Sequence, residues 1–466
     1  MLTKDKQFYR QIFRLTGFIA LQNVIASFVG LADNVMIGAY SQDALSGVAL
    51  ANQVQYLLQM LAGGIGEGMA VIAAQYWGTR RLEPIRRVLA VALTSVFGVA
   101  MLFFGIARLL PQGVLQLLTT DSGAIAQGAL YMRTVAFSYP FFCITMVFLA
   151  GQRSVENVSV GIFASFSGLG IKILLNWLLI LGNMGFARMG TQGAAISTLV
   201  GRMVECGVCL LYTYGIDHKL ALGISHFRRF DKLLLKDFHH YGTPVVMAFG
   251  SWGIAMLMQT GILGHMGSNA IAANAIASSL FQVISVALYG ISSASGVVVG
   301  QVVGSGNMPK LKEYVKTLQW LFLAIGLLSA ALLYWCKDGV LTLYSVTPEA
   351  MVMANGFMIA QSVTIIGSAY QTPVLSGIVR GGGDTKFVFY NDLTFMWGIV
   401  LPISFLGAFV FHWSAVAIFC CLKADQVLKS FVAIWEVNSY RWVRKVTRDD
   451  AAELVAEEVA EIGIKA

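Results

Sequence analysis

The chain has 466 residues, 57% of them hydrophobic and only 12% charged. Soluble domains carry about 25% charged residues, so a water-soluble globule is excluded and lipid is the expected solvent. The net charge of +8 would suit nucleic acid only if the basic side chains shared one folded face. They fall instead in short, alternating loops, so no nucleic-acid partner is expected.

Taken in chain order, the basic segment Met1 to Arg14 precedes an apolar run that lacks a small-residue cleavage site and is long enough to span. It predicts a retained first helix. Twelve apolar stretches are predicted to cross the bilayer, at 15–37, 46–76, 88–110, 126–150, 158–182, 190–213, 241–264, 270–302, 315–336, 351–376, 386–410 and 414–435. The fold class is therefore an all-α polytopic membrane protein with twelve transmembrane helices. Lys4, Lys6, Arg10 and Arg14 lead the chain, Arg80, Arg81, Arg86 and Arg87 follow the second span, and Lys310, Lys312 and Lys316 follow the eighth. This bias predicts cytoplasmic N- and C-termini and suits a bacterial inner (plasma) membrane. After Asp449 the chain turns acidic and helical in pattern, which reads as a solvated tail.

The sequence matches itself at an offset of 226 residues. Gln75 pairs with Gln301, Gly78 with Gly304, and Gly113-Val114-Leu115 with Gly339-Val340-Leu341. Six spans per half make the halves parallel repeats about a pseudo-two-fold along the membrane normal. The expected units are an N-terminal six-helix lobe at 1–214, a cytoplasmic linker at 215–240, a C-terminal six-helix lobe at 241–440 and a tail at 441–466. Substrate is expected between the lobes. All six cysteines lie in or beside apolar runs, and Cys206 and Cys209 sit inside a helix without a second pair, so no metal site or cofactor is expected.

Local motifs then carry a resemblance. LADNVMIG ends the first span and AAQYWG the second, LNWLLILGNMG and GTQGAAIST lie in the fifth and sixth, LSGIVRGGGDT ends the tenth, and SYRWVRK follows the twelfth. Together they resemble the multidrug and toxic compound extrusion (MATE) family of cation-coupled antiporters over nearly the whole chain. The resemblance implies two six-helix lobes, export of organic compounds driven by inward sodium or protons, and site residues carried over by position. In one branch of the family an acid on the first helix works with polar groups on the fifth and sixth, here Asp33, Asn176 and Thr198. The family's further acids fall on Ile180, Trp252 and Ala369, so the second half lacks the usual cation site.

An ionisable group inside a span needs a reason to be there. Lys172 lies one turn before Asn176 on the same helical face; pairing with Asp33 would neutralise both and place an ammonium where a cation would bind. That arrangement favours protons over sodium. Glu67, among glycines, either lines the cleft or pairs with an arginine, and Arg202 with Glu205 at i, i+3 forms a structural pair. Asp392, Lys423 and Asp425 are expected to form an ionic cluster between the last two helices. Tyr139, Trp252, Met256, Met258, Gln259, Tyr289, Tyr370, Met396 and Trp397 are candidates to line a pliable pocket.

The leading reading is a proton- or sodium-coupled antiporter, a functional monomer in the lipid bilayer, exporting amphipathic organic compounds by alternating access. The alternative is a flippase for a lipid-linked saccharide or another amphipathic metabolite, which would need a basic cleft. Enzymatic chemistry has no support: no nucleophile–base pair stands out, and the RGGGD run at 380–384 lacks the Lys-Ser/Thr of a phosphate loop.

Overall fold

Side-chain caps fix where the long helices begin. Asp5 accepts from the Gln7 amide, Ser41 from Ala44, Asn307 from Lys310, Thr347 from Ala350, Asp384 from Phe387 and Ser414 from Ala417, each satisfying an amide that the first helical turn leaves open. The computed structural model describes residues 3–228, 232–342 and 347–447. The acidic tail expected after Asp449 lies outside the described residues.

The principal helices are α1 (Lys6–Gly38), α2 (Gln42–Gly78), α3 (Leu82–Leu109), α4 (Ser122–Ser154), α5 (Ser159–Leu179), α6 (Thr191–Gly215), α7 (Lys232–His265), α8 (Ser268–Ser305), α9 (Met308–Leu341), α10 (Pro348–Val379), α11 (Thr385–Phe409) and α12 (Ala415–Ser439). Among the described residues, eleven are long and apolar enough to cross a membrane. The twelfth, α12, has the length but carries Lys423, Asp425, Lys429 and Glu436. Most helices extend past the predicted spans, because polar residues continue the backbone ladder into the headgroup region. The α7 helix starts at Lys232, inside the segment expected as linker.

The duplication is visible in the helix boundaries. The second to fifth helices of the first lobe start at 42, 82, 122 and 159, and their counterparts start at 268, 308, 348 and 385, so the offset of 226 holds through each pair. One apolar core centres on α2 to α6 and takes in Ile37 of α1, Leu234 and Phe238 of α7, and Val446 after α12. Two others fill the second lobe, and one of them takes in Phe8, Ile12 and Leu15 from the start of α1.

The lobes meet along α2 against α7 and α8, and α1 against α8. Gly64 leaves no room for a Cβ against Val246, nor Gly68 against Gly242. The tightest contact is reciprocal. A Cβ on Gly78 would lie 2.1 Å from the Gln301 carbonyl oxygen, and one on Gly304 would lie 2.0 Å from the Gln75 carbonyl oxygen. The residues that match in the repeat thus touch each other's partners across the pseudo-two-fold. Each glutamine amide also reaches a carbonyl at the end of the other lobe's fourth helix, Gln75 to Gly381 at 3.4 Å and Gln301 to Ser154 at 3.5 Å.

These contacts lie on the side of the bundle that carries the start of α1 and the end of α12, called here the terminal side. After α12 the chain turns back beneath the second lobe. Trp442 is fully buried against Gly382, where any Cβ would strike its ring at 2.1 Å. The Arg444 guanidinium donates to Asp384 at 2.6 Å, and the Val446 amide donates to Gln75 Oε1 at 2.8 Å. This hook joins the end of the second lobe to α2 of the first.

Candidate functional site

The polar site of the first lobe is assembled by the α5–α6 hairpin. Gly168 and Gly201 face each other so closely that a Cβ on either would meet the other's carbonyl oxygen, at 2.7 and 2.9 Å. That approach lays the Lys172 stem along Gly201 and directs its ammonium toward α1. There Lys172 Nζ donates to Asp33 Oδ2, and Asn176 Nδ2 donates to Asp33 Oδ1 at 2.5 Å. Both charged side chains are largely buried, 16% exposed for Lys172 and 17% for Asp33.

Placing unlike charges together removes much of the cost of burying either. Asn176 is buried, and its Oδ1 has no hydrogen-bond donor among the described residues. One amide acceptor on the residue that holds the carboxylate therefore stays open. Thr198 is buried and shares a 3.5 Å hydrogen bond with the Tyr131 hydroxyl. Tyr131 lies within electrostatic reach of Asp33. Nothing in the residue pattern marks Tyr131, which is one aromatic among many on an apolar helix.

Between the lobes, Glu67 on α2 is held by Arg153 at 2.8 Å and by Arg380 at 3.5 Å. It is a clamp joining the ends of α4 and α10 rather than an open cleft wall. Tyr139, expected to line the cleft, is fully buried in the first lobe's core, and its hydroxyl has no hydrogen-bond partner among the described residues. Tyr370 also leaves the expected cleft: it hydrogen-bonds Gln319 at 2.8 Å in a groove on the second lobe. Trp252 and Tyr289 expose 39% and 48% of their surface, and Met256 is half-buried. Gln259 is buried and donates to the Met396 sulfur at 3.3 Å, while Trp397 donates to Ser251 at 2.7 Å.

The second lobe's ionic cluster exists with a different cation. Lys429, not Lys423, bridges Asp392 at 2.8 Å and Asp425 at 3.3 Å. Lys423 lies over the Phe419 ring at 5.6 Å. The i, i+4 spacing of Asp425 and Lys429 was a usable signal; which helix face turned toward Asp392 was not. Arg202 and Glu205 pair at 2.8 Å, and among the described residues no group of histidine, cysteine and acidic side chains is placed to hold a metal.

A duplicated bundle of apolar helices with a charged pair inside one lobe defines a polytopic membrane transporter. The chain belongs to the MatE family, whose sequence profile matches it at residues 19–178 and again at 244–406, once in each lobe. It is 24% identical to the probable multidrug resistance protein NorM of Thermotoga maritima, over 95% of this chain and 93% of that protein. It is 22% identical to the probable multidrug resistance protein YoeA of Bacillus subtilis, over 83% and 84%. Among solved structures, a MOP superfamily transporter from Pyrococcus furiosus, described as having a binding pocket of reversed polarity, superposes with a TM-score of 0.83 at 18% identity, covering 94% of this chain and 98% of that one. A multidrug resistance MATE transporter in an outward-facing conformation gives 0.82 at 18% identity, with the same coverage. At that identity the structural likeness speaks for the fold.

Proposed function

We propose that this protein exports amphipathic organic compounds in exchange for protons, by alternating access of a space between the lobes, with Asp33 as the coupling group. The carrying observation is the Asp33 carboxylate held inside the first lobe by Lys172 and Asn176. The multidrug resistance names of the relatives support the substrate class.

An ammonium against the carboxylate stands where a sodium ion would have to sit, and like charges repel strongly in a partly dehydrated site. A proton meets no such obstacle. It can add to Asp33 as Lys172 withdraws, and a flip of the Asn176 amide would turn Oδ1 to accept from the new O–H. Neutralising the acid frees Lys172 and loosens the tie between α1 and α5, which couples proton uptake to rearrangement of the lobe. The contacts closing the terminal side fit an outward-facing state, with that side toward the cytoplasm of a plasma membrane, because the basic loops gather there. We place the working unit as a monomer.

Transport of a fluorescent organic cation into everted vesicles, with pH and sodium gradients imposed separately, tests this reading. The proton gradient alone should drive wild-type uptake, and Asp33→Asn should abolish it. Uptake driven by sodium alone would overturn proton coupling. Gradient-independent movement of a lipid-linked substrate would favour the flippase alternative.

A further inference from the structure

On the outer face of the second lobe, at its terminal side, lies a groove of about 930 Å³ lined by Lys4, Lys312, Lys316, Trp320, Tyr370 and Tyr440, among others. We propose that this groove binds the headgroup of an anionic phospholipid from the bilayer leaflet on the terminal side.

Charge is the first argument. Three ammonium groups line the groove against a single carboxylate, Glu313. The nearby Asp5 is already engaged, accepting from the Tyr314 hydroxyl at 2.5 Å and pairing with Lys310 at 3.5 Å. Among the described residues, Lys4, Lys312 and Lys316 have no carboxylate in ion-pair contact. Lys312 instead rests over the Tyr440 ring at 5.7 Å. These cations are thus available to a phosphodiester.

The order of chemistry along α9 is the second argument. Lys312, Lys316 and Trp320 follow one another at single-turn spacing, so they share a face, and Leu323 also lines the groove. Farther along the same helix, Leu327 and Leu328 are 53% and 70% exposed. The helix is long and apolar enough to span, so those leucines face acyl chains. Ammonium groups, then an indole, then aliphatic side chains is the sequence a phospholipid presents as headgroup, interface and tail. A soluble anion would use only the first part.

The groove also joins distant parts of the chain. Lys4 precedes α1 and is anchored to α9 through the Thr3 amide, which donates to Thr317 Oγ1 at 2.9 Å, whereas Tyr440 begins the hook after α12. A headgroup held there would bridge the leading segment of the first lobe to the second.

The test uses the full-length protein in nanodiscs containing phosphatidylglycerol or phosphatidylcholine with brominated chains. Tryptophan quenching in wild type minus that in Trp320→Phe isolates one indole from the nine present. Phosphatidylglycerol should quench Trp320 at lower mole fraction than phosphatidylcholine. Lys312→Gln and Lys316→Gln should each reduce that preference roughly fivefold, as expected per lysine at an anionic surface. Both positions are exposed, and gel filtration with circular dichroism checks that the variants fold. Equal quenching by the two lipids in folded wild type would overturn the proposal. So would displacement of phosphatidylglycerol by inorganic phosphate, which would assign the groove to a soluble anion.

Discussion

The two lobes share a backbone plan and a contact surface but not their charges. At positions equivalent to Asp33, Lys172, Asn176, Thr198 and Tyr131, the second lobe has Gln259, Gly398, Pro402, Ala424 and Phe357, a neutral set. Its own ionic cluster, half-exposed Asp392 with buried Asp425 and Lys429, has Phe166, Leu199 and Met203 as counterparts in the first lobe. The second lobe also contains wide, π-type turns at Phe238–Gly242, Pro373–Val379 and Leu393–Val400. Such turns often mark functional or adaptable points in a helix. The comparison teaches that the repeat kept what closes the lobes against each other, Gln75 and Gly78 with Gln301 and Gly304, while the interior of each lobe was free to diverge.

The sharpest way to break this comparison is to exchange the carboxylate. Asp33→Asn should reduce gradient-driven efflux to background while the protein remains folded in the membrane, checked by vesicle transport and gel filtration. Asp392→Asn should leave efflux largely intact. Equal loss from both would make the lobes functionally alike.

Removing the second lobe's cation should act on stability. Lys429→Met leaves Asp392 and Asp425 without their shared counter-charge, and breaking a buried ion pair from one side costs about 3 kcal/mol. Thermal denaturation in detergent measures it. Lys423→Met should cost far less, because Lys423 holds neither acid.

The shared surface predicts symmetry in place of contrast. Gly78→Ala and Gly304→Ala each push a methyl into the opposite backbone, and each should cost about 2 kcal/mol of the closed arrangement by overpacking. Reactivity of a single cysteine at Gln301 or Gln75 toward an impermeant maleimide should rise similarly in both. A change confined to one variant would show that the two-fold contact is unequal.

Lys172→Met refines the first-lobe site. Without the ammonium, the pH profile of transport should move toward alkaline, with no further shift where Asp33 is already absent. An unchanged profile would separate Lys172 from coupling. The smallest effect lies at Asp5, where the Tyr314 hydroxyl holds the carboxyl below its ordinary value of 3.8. A lowered folded value stabilises the protein above that pH and is lost as pH falls through it. Asp5→Asn should therefore cost no more than about 1 kcal/mol at neutral pH, given solvent screening, and should flatten the acid limb of a thermal-stability curve.

Composition and period alone determined the membrane class, the helix count and the internal duplication, because apolar runs of spanning length have few alternatives in lipid. A charge in mid-span singled out Lys172, one helical turn from Asn176 on a common face, whereas Asp33 and Asn176 were marked as a site by the resemblance to the family motifs. Tertiary structure decided what faces what. Lys423 and Lys429 are six residues apart on one helix and point about 120° apart in projection; only the rotation of α12 against α11 turns Lys429 toward Asp392. Tyr131 reaches Thr198, and Arg380 reaches Glu67, through helices that are far apart in sequence. The hook at Val446 meets Gln75 across 371 residues. Local pattern fixes the face a residue shares with its neighbours, but which partner meets that face depends on how close the glycines let the helices come.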